Sequence, residues 1–170
     1  MDAGFDAFAA TYEAGNGQVL YRRIVADLET PVGTYLKLTG ERKFTFLLES
    51  VEGGAKKGRY SIIGMEPDVL WRVVNGRAEI NRKAAIDPNA YEVQEGHPLE
   101  ALRALIAESQ IAMPSELPAN SAGVFGYLGY DMVRFMEELP DDNPDTLNVP
   151  DAIMMRPSVL AVFDSLKDEL

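Results

Sequence analysis

Residues 44–64 read FTFLLESVEGGAKKGRYSIIG, and this stretch decides how the rest of the chain is understood. An apolar run with aromatic and aliphatic residues, 44–48, leads into Glu49 and Ser50. A loop rich in glycine and lysine follows, and a second run, residues 60–65, opens with Tyr60 and Ser61. Two such runs joined by glycine-bearing residues read as antiparallel strands. Side chains alternate along a strand, so Phe44, Phe46 and Leu48 share one face, and Thr45, Leu47 and Glu49 the other. Ser50 continues the Leu48 side, at the rim of the apolar core.

Working outward, residues 69–74 and 77–82 flank Asn75-Gly76, the strongest two-residue hairpin signal, because both turn positions require positive φ. Residues 67 and 88 are prolines; Glu66-Pro67 reads as a strand stop and Asp87-Pro88 as a turn within a linking loop, 84–97. Toward the N-terminus, residues 19–25 (VLYRRIV) are rich in β-branched and aromatic residues and read as a strand. Residues 5–14 read as a short helix with Phe5, Phe8 and Tyr12 on one side. Thr30-Pro31 is a helix start and Gly40 its stop, so PVGTYLKLT forms a short helix.

Pro98 opens the clearest helix, PLEALRALIAESQ, with Leu99, Leu102, Leu105 and Ile106 at helical spacing. Residues 121–130 read as a glycine-interrupted strand whose glycines mark close backbone approach or bulges. Residues 131–138 form a helical turn, 137–145 an acidic, proline-broken surface loop, and 159–163 a last strand. The order predicts an α+β fold: a largely antiparallel sheet or sandwich with a few packed helices. The chain reaches residue 170 where a turn into another strand is expected, so it reads as one domain that is a fragment of something longer.

The 170 residues carry a formal net charge of −11, which opposes nucleic acid or an anionic membrane as partner. Cysteine is absent, so thiolate metal sites, disulfides and thiol nucleophiles are excluded. No apolar run reaches membrane-span length, and the acidic N-terminus has no signal-peptide pattern; the expectation is a soluble, cytoplasmic protein. P-loop, HExxH and GxSxG patterns are all missing, and the only histidine, His97, reads as a surface loop residue.

Two arginines and one polar pair carry the remaining chemistry. Glu49 and Ser50 either begin a solvated hairpin loop or present a carboxylate and a hydroxyl to an amphipathic ligand against an apolar wall. Arg59 is placed to reach across the hairpin toward Glu49. Arg103, read between Leu99 and Ile106, sits on the inward face of its helix, where a guanidinium needs a carboxylate, a carbonyl or an anionic ligand.

Four segments, YRRIVADLETPVGTYLKL, FTFLLESVEGGAKKGRYSIIG, GVFGYLGYDMVRFMEELP and RPSVLAVFDSLKDEL, occur in the order found in the N-terminal part of the anthranilate synthase large subunit, component I, which this chain resembles over nearly its whole length. The resemblance implies an enzyme that converts chorismate to anthranilate and pyruvate, with Mg²⁺ and with ammonia from a glutamine amidotransferase subunit. It also implies that Leu-Leu-Glu-Ser is the signature of feedback inhibition by L-tryptophan. Carried over by position, Leu48, Glu49, Ser50, Arg59 and Arg103 are the tryptophan-site residues; catalytic and metal-binding residues belong to the C-terminal catalytic domain, so residues 1–170, a single regulatory domain, are expected to lack lyase activity. The related aminodeoxychorismate synthase, or a docking domain with no ligand, are the alternatives.

Overall fold

The computed structural model describes residues 3–51, 57–140 and 145–170. The fold is α+β, built on a six-stranded antiparallel sheet with helices packed against it. The strands are β1 (Phe46–Val51), β2 (Lys57–Val74), β3 (Arg77–Asn81), β4 (Glu92–Val93), β5 (Phe125–Leu128) and β6 (Ala152–Asp164). Their order is β4-β3-β2-β6-β5, with β1 pairing the N-terminal half of β2. The helices are α1 (Ala3–Glu13), α2 (Pro31–Thr39) and α3 (Pro98–Glu108), with a 3₁₀ helix over Tyr130–Phe135.

Where local chemistry dictates structure, the elements fall as expected. Thr30 caps α2 by accepting a hydrogen bond from the Gly33 amide, and Gly40 ends it at φ 53°. Asn75 and Gly76 both take positive φ, 51° and 74°, and turn β2 into β3. In α1 the Phe8 and Tyr12 rings stack at 6.1 Å, while Phe5 is exposed. His97 lies on the surface and caps α3, its Nδ1 accepting from the Leu99 amide. A Cβ on Gly126 or Gly129 would run into the backbone carbonyl oxygen of Ile153 or Asp151, the close approach read from their positions.

Long-range pairing revises several boundaries. Residues 60–65 and 69–74 are one strand, β2, and β6 begins at Ala152 rather than at residue 159. Pro67, read as a strand stop, lies opposite Pro157, so both missing amides fall at one point of the ladder. There the chain absorbs the defect with an extra residue, Asp68, and with Glu66 at φ 53°. Ser158 Oγ donates to the Glu66 carbonyl at 2.6 Å, replacing a ladder donor.

Phe44, also at positive φ, lies before β1, so Glu49 and Ser50 sit inside the strand and not beyond its end. Residues 121–130 contribute only the four residues of β5. The linking loop 84–97 contains the short β4. Residues 19–25 form no strand: only Val25 is bridged, to Glu169. Part of the acidic loop, 141–144, and the hairpin loop residues 52–56 lie outside the described residues.

Two apolar clusters hold the sheet. One joins Val69, Trp71 and Val73 of β2 to Leu102 and Leu105 of α3 and to Met132 of the 3₁₀ helix. The other joins Ile63, Met65 and Phe163 to Ala26, with Tyr35, Leu47 and Leu170 packed around them. Each fully buried large side chain contributes about 1.5–3 kcal/mol. β2 and β6 run through both clusters.

Candidate functional site

The LLES residues lie on β1, in register with the start of β2: Leu48 opposite Ile62 and Glu49 opposite Ser61. Leu48 is half exposed, and Glu49 and Ser50 are exposed. Beside them, Phe46 covers Gly64 and stacks on Phe125 at 4.9 Å, which anchors the strand. Ser50 packs directly over Gly58: a Cβ there would lie 2.1 Å from Ser50 Oγ and 2.6 Å from its carbonyl oxygen. Only glycine fits beneath this serine, and Val51 pairs with Lys57 through a register shift at that point.

Arg59 turns away from Glu49. It forms a bidentate pair with Asp164 of β6, at 3.0 and 2.7 Å, and its guanidinium lies 4.9 Å from the Tyr60 ring centroid. The Arg59 carbonyl accepts from both the amide and the hydroxyl of Ser165. The fork geometry of guanidinium and carboxylate favours this partner over a single contact across the hairpin. Hydrogen bonding from Arg59 holds the Asp164 carboxyl below the usual carboxylate range, and the same bond raises Arg59.

Because the folded-state pKa of Asp164 is depressed, its contribution to stability is present above the ordinary carboxylate pKa and is lost as pH falls through the lower folded value. We expect Asp164→Asn to be less stable than the parent at neutral pH and to lose less stability on acidification, because only the parent has this contribution to give up. An equal acid sensitivity of the two, followed by circular dichroism, would rule out that linkage. Arg59 is 42% exposed, so solvent screens the pair.

Arg103 is not on the inward face. It is 69% exposed and pairs with Glu100 one turn earlier. Leu102 and Leu105 mark the buried centre of α3, and at about 100° per residue Arg103 falls some 130° from their midpoint. Because α3 packs on the Trp71 cluster, the structure does not bring Arg103 together with Leu48, Glu49 and Ser50.

A groove of about 930 Å³ lies beyond Arg59, between residues 17–24, the outer edge of β6 and the segment 108–123. Of the five residues singled out from the sequence, only Arg59 lines it. Its walls carry further ion pairs that sequence spacing does not reveal. Arg156 is bidentate on Asp68 at 2.8 and 2.7 Å, and Tyr21 and Arg23 both bond Glu116, at its carboxylate and its carbonyl respectively. Partners some 90 residues apart leave no local signal. Among the described residues no three His, Asp or Glu side chains converge so as to hold a metal ion. No helix among them is long and apolar enough to cross a membrane.

This architecture is that of an α+β domain, and the chain spans about a third of the length of the curated relatives it matches. It is 54% identical over 166 residues, 98% of the chain and 33% of the relative, to anthranilate synthase component 1 of Cereibacter sphaeroides. The same-named protein of Thermus thermophilus is 40% identical over 151 residues, covering 88% of the chain and 30% of the relative. The crystal structure of anthranilate synthase component I from Streptococcus pneumoniae TIGR4 superimposes with a TM-score of 0.54 at 28% identity, over 89% of this chain and 30% of that one. No protein-family model matches. The chain corresponds to the N-terminal domain of anthranilate synthase component 1.

Proposed function

We propose that this chain is the tryptophan-sensing N-terminal domain of an anthranilate synthase, which as a whole converts chorismate to anthranilate and pyruvate. Ammonia comes from a glutamine amidotransferase subunit, and Mg²⁺ is held by the remainder of the polypeptide. The observation that carries this reading is the 54% identity over 166 residues to one such component 1. Residues 1–170 alone are proposed to have no lyase activity.

The effector surface is proposed to be the exposed part of β1. Glu49 supplies a carboxylate for an ammonium group, Ser50 a hydroxyl for a carboxylate, and half-exposed Leu48 an apolar wall for an aromatic ring. The rest of the subunit closes the other side. Arg59, committed to Asp164, fixes the β2 end of this surface. Arg103 acts from a separate face; its exposed pair with Glu100 is worth little and is released to an anionic group at small cost.

The test uses the full-length subunit. Anthranilate fluorescence is expected from chorismate, Mg²⁺ and ammonia, with inhibition by L-tryptophan; an aminodeoxychorismate synthase would yield no anthranilate. Ser50→Phe is expected to raise the half-inhibiting tryptophan concentration about ten-fold or more, a change worth about 1.4 kcal/mol. An unchanged value would remove Ser50 from the site.

A further inference from the structure

The groove has the form of a gap in a sheet. Leu160, Ala161 and Val162 all line it, and three successive strand residues alternate faces, so the groove meets β6 at its edge and not on a face. β5 pairs with β6 only at residues 152–155, and among the described residues that edge then has no ladder partner until Asp164 bridges Glu169. On the opposite wall run residues 17–24, every one of which lines the groove. Their composition, VLYRRI at 19–24, is that of a strand, yet among the described residues the backbone of 17–23 makes no hydrogen bond.

This strap is nevertheless held in place. The Ile24 and Leu170 backbones exchange two hydrogen bonds at 2.8 Å, and Tyr21 and Arg23 are fastened to Glu116. A strand edge and a strap, both with unanswered backbone groups, thus flank an open channel. Backbone donors and acceptors left this way are a template for another strand.

We propose that an extended segment of the same subunit, from the part of the polypeptide outside residues 1–170, enters this groove and pairs as a strand with the outer edge of β6 and with residues 19–23. The proposal rests on the reading of this chain as one domain of a longer subunit. The relatives supply the length, since the chain covers only about a third of them. A tethered segment also has a high effective concentration at the groove.

Charge sets the chemistry of the occupant. The five cationic side chains lining the groove, Arg22, Arg23, Arg59, Arg156 and Lys167, are matched by five carboxylates, and three of them are engaged within its own walls, Arg59 on Asp164, Arg156 on Asp68 and Arg23 on a backbone carbonyl. Leu20, Tyr21 and Ile24 expose apolar surface beside them. A neutral, β-branched segment of about five or six residues fits such a channel. A second copy of this chain would bring another net charge of −11 to the contact, which repels association.

Hydrogen exchange of the full-length subunit, dilute and without its amidotransferase, tests the proposal. The groove-facing amides of residues 158–163 are expected to exchange about 100-fold or more slower than free edge amides. A subunit with Leu20 replaced by the photo-crosslinker p-benzoylphenylalanine is expected to crosslink within its own chain to a segment beyond residue 170. Edge amides that exchange freely, protection that appears only when the amidotransferase is added or the concentration raised, or crosslinks to another molecule would each overturn it. Anthranilate formation is scored in the same preparation. Activity with unprotected amides defeats this inference alone, and protection without anthranilate defeats the functional reading alone.

Discussion

Trp71→Ala is expected to lower the stability of this domain by about 3–5 kcal/mol, the cost of deleting a large aromatic from a packed core. Trp71 is fully buried near the C-terminal end of β2, between Ile80 and Met154, its cross-strand neighbours on β3 and β6. It is packed in one cluster with Leu102 and Leu105 of α3, and its indole N–H donates to Gln94 Oε1 at 3.0 Å. Alanine removes both the contacts and the donor. Typical domain stability is about 5–15 kcal/mol, so the loss is a large share of the total. For a domain of this size the thermal midpoint should fall by about 10 °C. Circular dichroism is the proper probe, because Trp71 is the only tryptophan and its emission goes with it. Trp71→Phe should recover more than half of the loss. An unchanged midpoint in the alanine variant would mean that the α3 end does not depend on this side chain.

Gly126→Ala is expected to cost about 3 kcal/mol, at the upper end of what overpacking brings. A Cβ at Gly126 would sit 1.9 Å from the Ile153 carbonyl oxygen and 2.8 Å from its carbonyl carbon. Both obstacles are backbone, so no rotamer change relieves them and β5 must separate from β6. At Gly64 the intruding methyl would meet the Phe46 ring, a side chain able to move. Gly64→Ala is the control and should cost less. Urea unfolding separates the two variants, and exchange at the Tyr127 and Leu128 amides should rise in the Gly126 variant. Equal midpoints for Gly126→Ala and the parent would show that the ladder tolerates the wider spacing.

The parts of this fold readable from sequence are those whose cause is local. A threonine before a proline and a glycine nine residues on fix both ends of α2, and Asn75-Gly76 fixes the hairpin. The sheet was readable as a class but not in its lengths. Pro67 and Pro157 each look like a stop alone, and only their pairing lets β2 and β6 run on. Residues 19–25 have strand composition, and composition carries no knowledge of whether a partner is present. Arg59 finds Asp164, 105 positions away, which no spacing rule could nominate. Leu99 and Ile106 at helical spacing suggest an apolar stripe wide enough to include Arg103, but the buried stripe of α3 narrows to Leu102 and Leu105, and Ile106 itself is 46% exposed. The LLES stretch is the reverse case: residue type left it ambiguous, and the resemblance of the surrounding segments gave it a meaning.

The two long strands have a thermodynamic corollary. Ile63 and Trp71 sit on the same continuous β2, and Phe163 and Ala152 on the same β6, so neither apolar cluster can melt while leaving the other's scaffold whole. The domain should therefore come apart in one step, and a strain applied at the LLES end is felt by an indole ring at the far end through an unbroken pair of polypeptide rails.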